Sequence, residues 1–212
     1  RESPLKTMMA LSLADSTEDR EAFLRYSEWT AGSDGSGETS DEHSTTVTRE
    51  VLPNGMRVLL FSHPDYHTVT VEGYVAAGSY FETADEPLLA ILTAKVMTEL
   101  AARTGLERDG AKLDMSAVSF NTYIEGRGLP GSRDAILDLM ASIIRKPPID
   151  QTMLRDVKRR LIADLTRKDR WVQLRAFNAA SRHFYTPGHV CYAESLPAQI
   201  DAVRSYILDD VM

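Results

Sequence analysis

Alternating apolar and polar residues predict three β-strands in the stretch that begins near residue 45. Residues 45–52 and 56–61 are β-rich runs joined across Pro53-Asn54-Gly55, and an Asn-Gly pair is favoured in the tight turns of hairpins. Residues 68–75 alternate small apolar residues with polar ones, which is typical of a strand that has one face on a core. The pattern therefore predicts a hairpin followed by a third strand.

The middle of the chain changes to helical spacing and then back to β-rich sequence. Residues 87–102 predict a helix, with Pro87 suited to the first helical position and Gly105 just past the end. Two more β-rich runs follow, at residues 112–120 and 121–128. We therefore expect one helix and then a second pair of strands.

Helical segments complete the pattern. Ser132 is a candidate N-cap for a helix that Lys146-Pro147-Pro148 terminates. A longer helix begins near Asp150. An apolar cluster of Trp171, Leu174 and Phe177 follows it, and a short terminal helix comes last. Strands in hairpins with helices collected between them predict an α+β fold, in which helices pack on a layered, antiparallel-rich sheet.

The first 46 residues differ from the rest in composition. Residues 17–30 have the pattern of a short amphipathic helix. The sequence does not say which element its apolar side contacts, and that element could belong to a neighbouring lobe. Residues 31–46 carry four acidic residues, no Lys or Arg and no large apolar side chain, which predicts a flexible linker. The sequence thus divides into an N-terminal segment (1–30), a linker (31–46) and a main domain (47–212).

Composition and charge exclude several classes of function. The chain of 212 residues is 43% hydrophobic and 26% charged, close to globular averages. Its net charge of -7 argues against nucleic acid as a partner, because phosphates call for a basic face. No stretch is long and apolar enough for a membrane helix and no targeting segment is evident, so the sequence predicts a soluble protein without indicating a compartment. The single cysteine, Cys191, is expected to be a free, buried thiol.

Five short blocks follow one another along the main domain: residues 52–60 (LPNGMRVLL), 75–79 (VAAGS), 110–116 (GAKLDMS), 145–148 (RKPP) and 185–189 (YTPGH). In this order they resemble one lobe of the pitrilysin/insulinase-type zinc peptidases, the fold shared with mitochondrial processing peptidase. The resemblance covers residues 47–208 and implies a peptidase-like lobe. The family's final strand would fall beyond Met212, so the resemblance also implies that the lobe is truncated at its C-terminus and that the chain is a piece of something longer.

The same resemblance places the family's zinc motif on residues that cannot bind zinc. Active members carry His-x-x-Glu-His on the helix after the Ala-Gly-Ser turn, where the spacing lets three side chains converge on one metal-bound water. Those positions fall here on Ile91, Ala94 and Lys95, and the family's further glutamate ligand falls on Ala163 or Asp164. Peptide hydrolysis of this kind needs a metal-activated water and a carboxylate base. The resemblance therefore implies an inactive lobe with no catalytic or metal-ligating residue.

An inactive lobe in this family implies a partner. Such lobes pair with a catalytic lobe and help to close the chamber that holds the peptide substrate, so zinc is expected only in that partner lobe or in the remainder of a parent chain. The leading hypothesis is a structural partner and chamber wall for a metallopeptidase.

Two alternatives from other classes stay open. An active metal-dependent hydrolase could use a site such as His63, Asp65 and His67, although Pro64 argues against the helical geometry that their spacing would need. A peptide- or protein-binding adaptor could use residues 155–182, which contain nine Lys or Arg against three Asp; a solvated helix face is the plainer interpretation. A loose cluster of His183, His189 and Cys191 is better interpreted as a turn, and Lys95 as an ion-pair partner of Glu99 one helical turn later.

Overall fold

The computed structural model describes residues 5–10, 46–62, 67–83, 85–189 and 191–212. Six β-strands lie in these ranges: β1 (Leu5–Ala10), β2 (Thr46–Val51), β3 (Arg57–Ser62), β4 (Val69–Val75), β5 (Lys112–Ala117) and β6 (Thr122–Gly128). Five α-helices accompany them: α1 (Leu89–Arg103), α2 (Arg133–Arg145), α3 (Gln151–Lys168), α4 (Val172–Phe184) and α5 (Leu196–Ser205). The predicted α+β fold is confirmed.

The strands form one six-stranded sheet in the order β2-β3-β1-β4-β6-β5. Both predicted hairpins are present, β2 with β3 and β5 with β6, and β4 pairs antiparallel with β6. The sequence pattern missed β1, because its six residues do not alternate. This strand runs antiparallel to β3 and parallel to β4, and it connects the first hairpin to the rest of the sheet.

One face of the sheet is covered by helices and forms the core. The valines of β4 that the alternation assigned to the inner face, Val69 and Val71, are buried, as is Ile124 of β6. Helical residues complete this core with side chains from α1, α2, α3 and α5, among them Leu92, Val96, Ile136, Ile143, Val157, Leu161 and Val203. The apolar residues that recur every second position in the strands and every fourth position in the helices thus pack together in one layer.

Helix boundaries show where local signals were misleading. Helix α1 begins at Leu89, not at Pro87, because Leu88 takes a left-handed conformation with φ of 68°. Ser132 precedes α2 but does not cap it with its side chain; its hydroxyl donates to the carbonyl of Asp109 at 3.0 Å. Asp150, in contrast, caps α3 by accepting from the backbone N–H of Met153 at 2.7 Å.

The expectation that Cys191 is buried was wrong, and the apolar cluster after α3 also lies at the surface. In that cluster, Trp171 and Phe177 are exposed. Cys191 is a free thiol, but it is exposed and not buried. The predicted helix at 17–30 and the linker up to residue 45 lie outside the described residues, and the structure places residue 46 at the start of β2. In the ranges described above, no helix combines the length and apolar character needed to cross a bilayer.

Candidate functional site: the helix that would carry a metal

The Ala-Gly-Ser turn leads from β4 towards α1, and its glycine is required by a close approach of two backbones. A Cβ built on Gly78 would lie 2.2 Å from the carbonyl oxygen of Val118 and 2.6 Å from that of Ser119. The following amides donate to the same carbonyls, Ser79 to Val118 at 3.1 Å and Tyr80 to Ser119 at 2.7 Å. This turn therefore fixes the hairpin of β5 and β6 beside the start of α1.

A carboxylate holds the N-terminus of α1. Glu82 accepts from the backbone N–H of Leu88 at 3.0 Å and from that of Ala90 at 2.8 Å, so it satisfies donors that the first helical turn leaves unpaired. Burial raises the pKa of Glu82, and the two backbone hydrogen bonds oppose that shift. The hydroxyl of Tyr206 also donates to the carbonyl of Pro87 at 2.8 Å, and burial raises the pKa of Tyr206 so that this donor keeps its proton. The arrangement is structural.

The three motif positions differ in how far they are exposed. Ile91 is half-buried, Lys95 is exposed, and Ala94 belongs to the core with 3% of its surface exposed. Ile91, Ala94 and Thr98 share the helix row at spacings of three and four residues. Because Thr98 bonds to β5, this row faces the edge of the sheet.

Thr98 of α1 forms hydrogen bonds with the backbone of β5 at the edge of the sheet. The Thr98 hydroxyl donates to the carbonyl of Met115 at 3.1 Å and accepts from the Met115 N–H at 2.8 Å. Strand β5 is the last in the sheet order, and an edge strand has backbone groups free to pair with another chain. One threonine thus satisfies both backbone groups of Met115 from within the lobe.

The helix that would supply the further ligand is joined to α1 by an ion pair. Glu99 accepts from Arg160 of α3 at 2.7 Å and from Arg103 at 3.0 Å. Desolvation, the largest single influence, raises the pKa of Glu99, but the hydrogen bonds and charges of the two arginines together hold that pKa below its usual value. The predicted partnership of Glu99 with Lys95 is wrong, because the carboxylate binds these arginines instead.

Two residues are candidates for the position of the further ligand. Ala163 is exposed, and the half-buried Asp164 pairs with Arg167 at 2.8 Å. Within the described ranges, no group of three or more His, Cys, Asp or Glu side chains is placed to hold a metal ion. Of the alternative set His63, Asp65 and His67, the first two lie outside the described residues and His67 is exposed.

The second histidine cluster is divided between α4, which contains His183, and the turn after it, which contains His189 and Cys191. His189 stacks on Tyr185 with ring centroids 4.5 Å apart, and its Nδ1 accepts from the N–H of Cys191 at 3.0 Å. His183 packs edge-on against Phe184. Both histidine rings therefore take part in local packing.

Most of the basic side chains of α3 are used within the lobe. Lys158 donates to the carbonyls of Arg204 and Tyr206 at 2.6 and 2.7 Å, and so ties α3 to the end of α5. Arg159 pairs with Asp156 at 3.1 Å. Together with the pairs of Arg160 and Arg167, these contacts support a solvated face with structural ion pairs along α3.

The opposite face of the sheet carries a polar groove that the sequence did not indicate. The groove has a volume of about 520 Å³ and is lined by Thr68, Thr70, Glu72, Gly110, Arg127, Gly128 and Leu129. The strand register places Asp114, Glu125 and Glu72 side by side across β5, β6 and β4. Lys112 pairs with Asp114, and Arg127 with Glu125, so cations of the protein itself already neutralise two of these carboxylates.

Comparisons with known proteins identify the fold. No protein-family model matches the chain, and no curated protein matches it. Among solved structures, a peptidase M16 inactive domain from Pseudomonas fluorescens matches over 78% of this chain and 42% of its own, with a TM-score of 0.63 and 20% identity. Pitrilysin matches over 79% of this chain and 20% of its own, with a TM-score of 0.62 and 18% identity.

A protease from Helicobacter pylori matches over 79% of this chain and 42% of its own, with a TM-score of 0.58 and 18% identity. This chain therefore spans less than half the length of each of these three relatives. The likenesses show that the chain has the α+β fold of M16-type peptidase domains.

The structural roles of Glu82 and Thr98 were missed by reasoning from the sequence. Glu82 lies six and eight residues before the two amides it caps, outside the spacing of a capping box. Thr98 is one of several polar residues in an apolar helix, and only the position of β5 distinguishes it. Gly78 was found as part of a family block, without the steric reason that the structure supplies.

Proposed function

We propose that this chain is a non-catalytic, peptidase-like lobe of a zinc protease, which acts as a structural partner and forms a wall of the substrate chamber beside a catalytic lobe. The observation that carries this proposal is the composition of α1. On a fold of the M16 type, the positions that the resemblance assigns to the metal motif hold Ile91, Ala94 and Lys95, and none of these can serve as a zinc ligand or a carboxylate base.

The structural roles of α1 support the proposal. Glu82 caps the start of the helix, Thr98 bonds it to β5, and Glu99 joins it to α3 through an ion pair. A lobe can lose its metal ligands and keep this framework, because none of the three contacts depends on zinc. Zinc would then be bound by the partner lobe and not by this chain.

The lengths of the relatives also support a partner. Two of the matched chains extend well beyond the 42% that this chain matches, and one of them is named an inactive domain. We infer that this lobe works beside a catalytic half, either in a separate subunit or in the remainder of a parent chain.

The first test measures metal and activity in the pure chain. We expect that the metal-stripped chain, after dialysis against zinc chloride, retains no stoichiometric zinc and does not cleave a fluorogenic peptide. Stoichiometric zinc with chelator-sensitive turnover would overturn the proposal, and loss of that turnover in His67→Ala would favour the alternative site that includes His67.

The second test measures the contribution to a partner. The catalytic half is assayed for kcat/KM on a peptide with and without this chain, and we expect a higher value when the lobe is present, because a closed chamber positions the peptide and excludes water. Ala94→Glu, which we expect to unfold the lobe, is the control and should give no increase. An unchanged kcat/KM with the folded lobe would show that the chamber-wall role is wrong.

A further inference from the structure

Helix α4 presents an apolar stripe to solvent that no other described element covers. The large side chains Val172, Phe177 and Phe184 are 77%, 70% and 76% exposed. Ala176 and Ala180 are also exposed, and the spacing of these five residues places them along one side of the helix. Contiguous exposed apolar side chains are the kind of surface that binding partners cover.

The opposite side of α4 is anchored, so the stripe is a fixed feature of the lobe. The hydroxyl of Ser181, which is buried, donates to the carbonyl of Cys191 at 2.5 Å and accepts from the N–H of Ala193 at 2.9 Å. Leu174 and Asn178, on the same side as Ser181, are half-buried. The helix therefore cannot roll to bury its apolar stripe without losing these contacts.

The charge of this region defines the chemistry of what could cover it. Residues 170–193 contain Arg170, Arg175 and Arg182 and no acidic residue. A complementary occupant is acidic and carries apolar side chains of its own. A second copy of α4 would bring like charges together, and an anionic membrane surface would have to attract a chain whose net charge is -7.

The chain itself contains a segment with the complementary chemistry. Residues 11–45 carry nine acidic residues and two arginines, a net charge of -7 that equals the net charge of the whole chain. Within this segment, residues 17–30 have the pattern of an amphipathic helix whose apolar residues include Phe23, Tyr26 and Trp29. The sequence had left the partner of that helix open.

The two ends of the segment are fixed to the sheet, which favours binding within the chain. Residue 10 ends β1 and residue 46 begins β2, and a span of 35 residues reaches up to about 120 Å when extended. Tethering of this kind gives a local concentration on the order of millimolar, so even a weak contact is populated.

We propose that the acidic segment 11–45 docks in cis on the apolar stripe of α4, with residues 17–30 as the element that covers Val172, Phe177 and Phe184. The arginines of α4 attract the acidic segment, and apolar burial holds it. This docking does not depend on the chamber-wall role, and the two proposals can fail separately.

Trp171, at the start of α4, provides a direct probe. The chain has two tryptophans, so in a Trp29→Phe background all the tryptophan fluorescence comes from Trp171. We expect Phe23→Ser in that full-length background to move the emission to longer wavelength and to raise the acrylamide quenching constant about twofold, because the docked fraction falls.

A matched control distinguishes undocking from a general effect of apolar loss. Val51→Ser removes a side chain that is exposed on β2, away from α4, and should leave the emission of Trp171 unchanged. Salt at about 0.5 M should shift the parent protein towards the Phe23→Ser values, because it screens the attraction between the arginines and the acidic segment.

The contrary outcomes are distinct. Identical quenching in the Phe23→Ser variant and its parent would overturn the proposal. Quenching that falls as protein concentration rises, and is insensitive to Phe23→Ser, would assign the stripe to a second copy. Protection of Trp171 by phosphatidylserine vesicles, again insensitive to Phe23→Ser, would assign it to a membrane surface.

Discussion

Helices α1 and α4 are similar in pattern and opposite in environment. Both carry large apolar residues at helical spacing, and in α1 two of these residues, Leu92 and Val96, are completely buried. In α4 the corresponding residues, Phe177 and Phe184, face solvent. Apolar periodicity states that a helix has an apolar side, but it does not state what that side contacts.

The difference separates structure from recognition in this lobe. The resemblance places the chemistry of the family on α1, yet here that helix contributes core packing, the Thr98 contact with β5 and the ion pair of Glu99 with Arg160. On α4, in contrast, large apolar side chains are exposed to solvent. A helix whose motif positions hold Ile91, Ala94 and Lys95 can thus still contribute to the fold.

The largest expected effect comes from one substitution made at matched alanines. Ala94→Glu places a charge in the core without a partner and should destabilise the lobe by about 3–5 kcal/mol. Ala179→Glu, at an exposed position of α4 outside the apolar stripe, should change the free energy of unfolding by less than about 0.5 kcal/mol. Urea unfolding followed by circular dichroism measures both.

The comparison of the two helices would break down if both alanine variants had the same stability. In that case position 94 would be open to solvent, and the metal-motif positions would have to be reconsidered as an accessible site.

A smaller effect tests the hydrogen bonds of Thr98 at the edge of the sheet. Thr98→Val keeps the shape of the side chain but leaves the N–H and the carbonyl of Met115 without their partner, which should cost about 1–3 kcal/mol. Thr166→Val is the control, because its hydroxyl bonds the Ile162 carbonyl on an exposed part of α3, and should cost less than about 0.5 kcal/mol. Chemical denaturation gives the two values, and equal losses would contradict a special role for Thr98.

The smallest expected effect is the pH-dependent contribution of Glu99 to the stability of the lobe. The pKa of Glu99 lies below its usual value of 4.5 in the folded lobe, so its ionised form stabilises the fold above that value and the contribution is lost as pH falls through the lowered pKa. Glu99→Gln should cost about 0.5–1 kcal/mol near neutral pH. The difference from the parent protein should disappear in acid.

The same pH window should be seen with Arg160→Gln, which removes one of the two partners of Glu99. Stability measured by urea titration at several pH values checks both variants. A Glu99→Gln difference that is constant from neutral to acidic pH would show that the carboxylate charge contributes nothing.

Local patterns predicted most of the strands and helices of the lobe. The Asn-Gly turn, the alternation in β4 and the two prolines after α2 are short-range signals, and each produced the expected element. The absence of zinc-ligand residues at positions 91, 94 and 95 is also a property of the sequence once the resemblance sets the register; that this absence makes the lobe inactive remains a prediction.

Tertiary structure alone decided the contacts between distant elements. The place of β1 between β3 and β4, the bonds of Thr98 to Met115 and the choice of arginines over Lys95 by Glu99 all join residues far apart in sequence or depend on how helices lie on the sheet. Tertiary structure also decided that α1 buries its apolar side and α4 does not, because an apolar stripe is buried only where another element lies against it. Local sequence sets which side of an element is apolar, and packing decides which of those sides remain available for a partner.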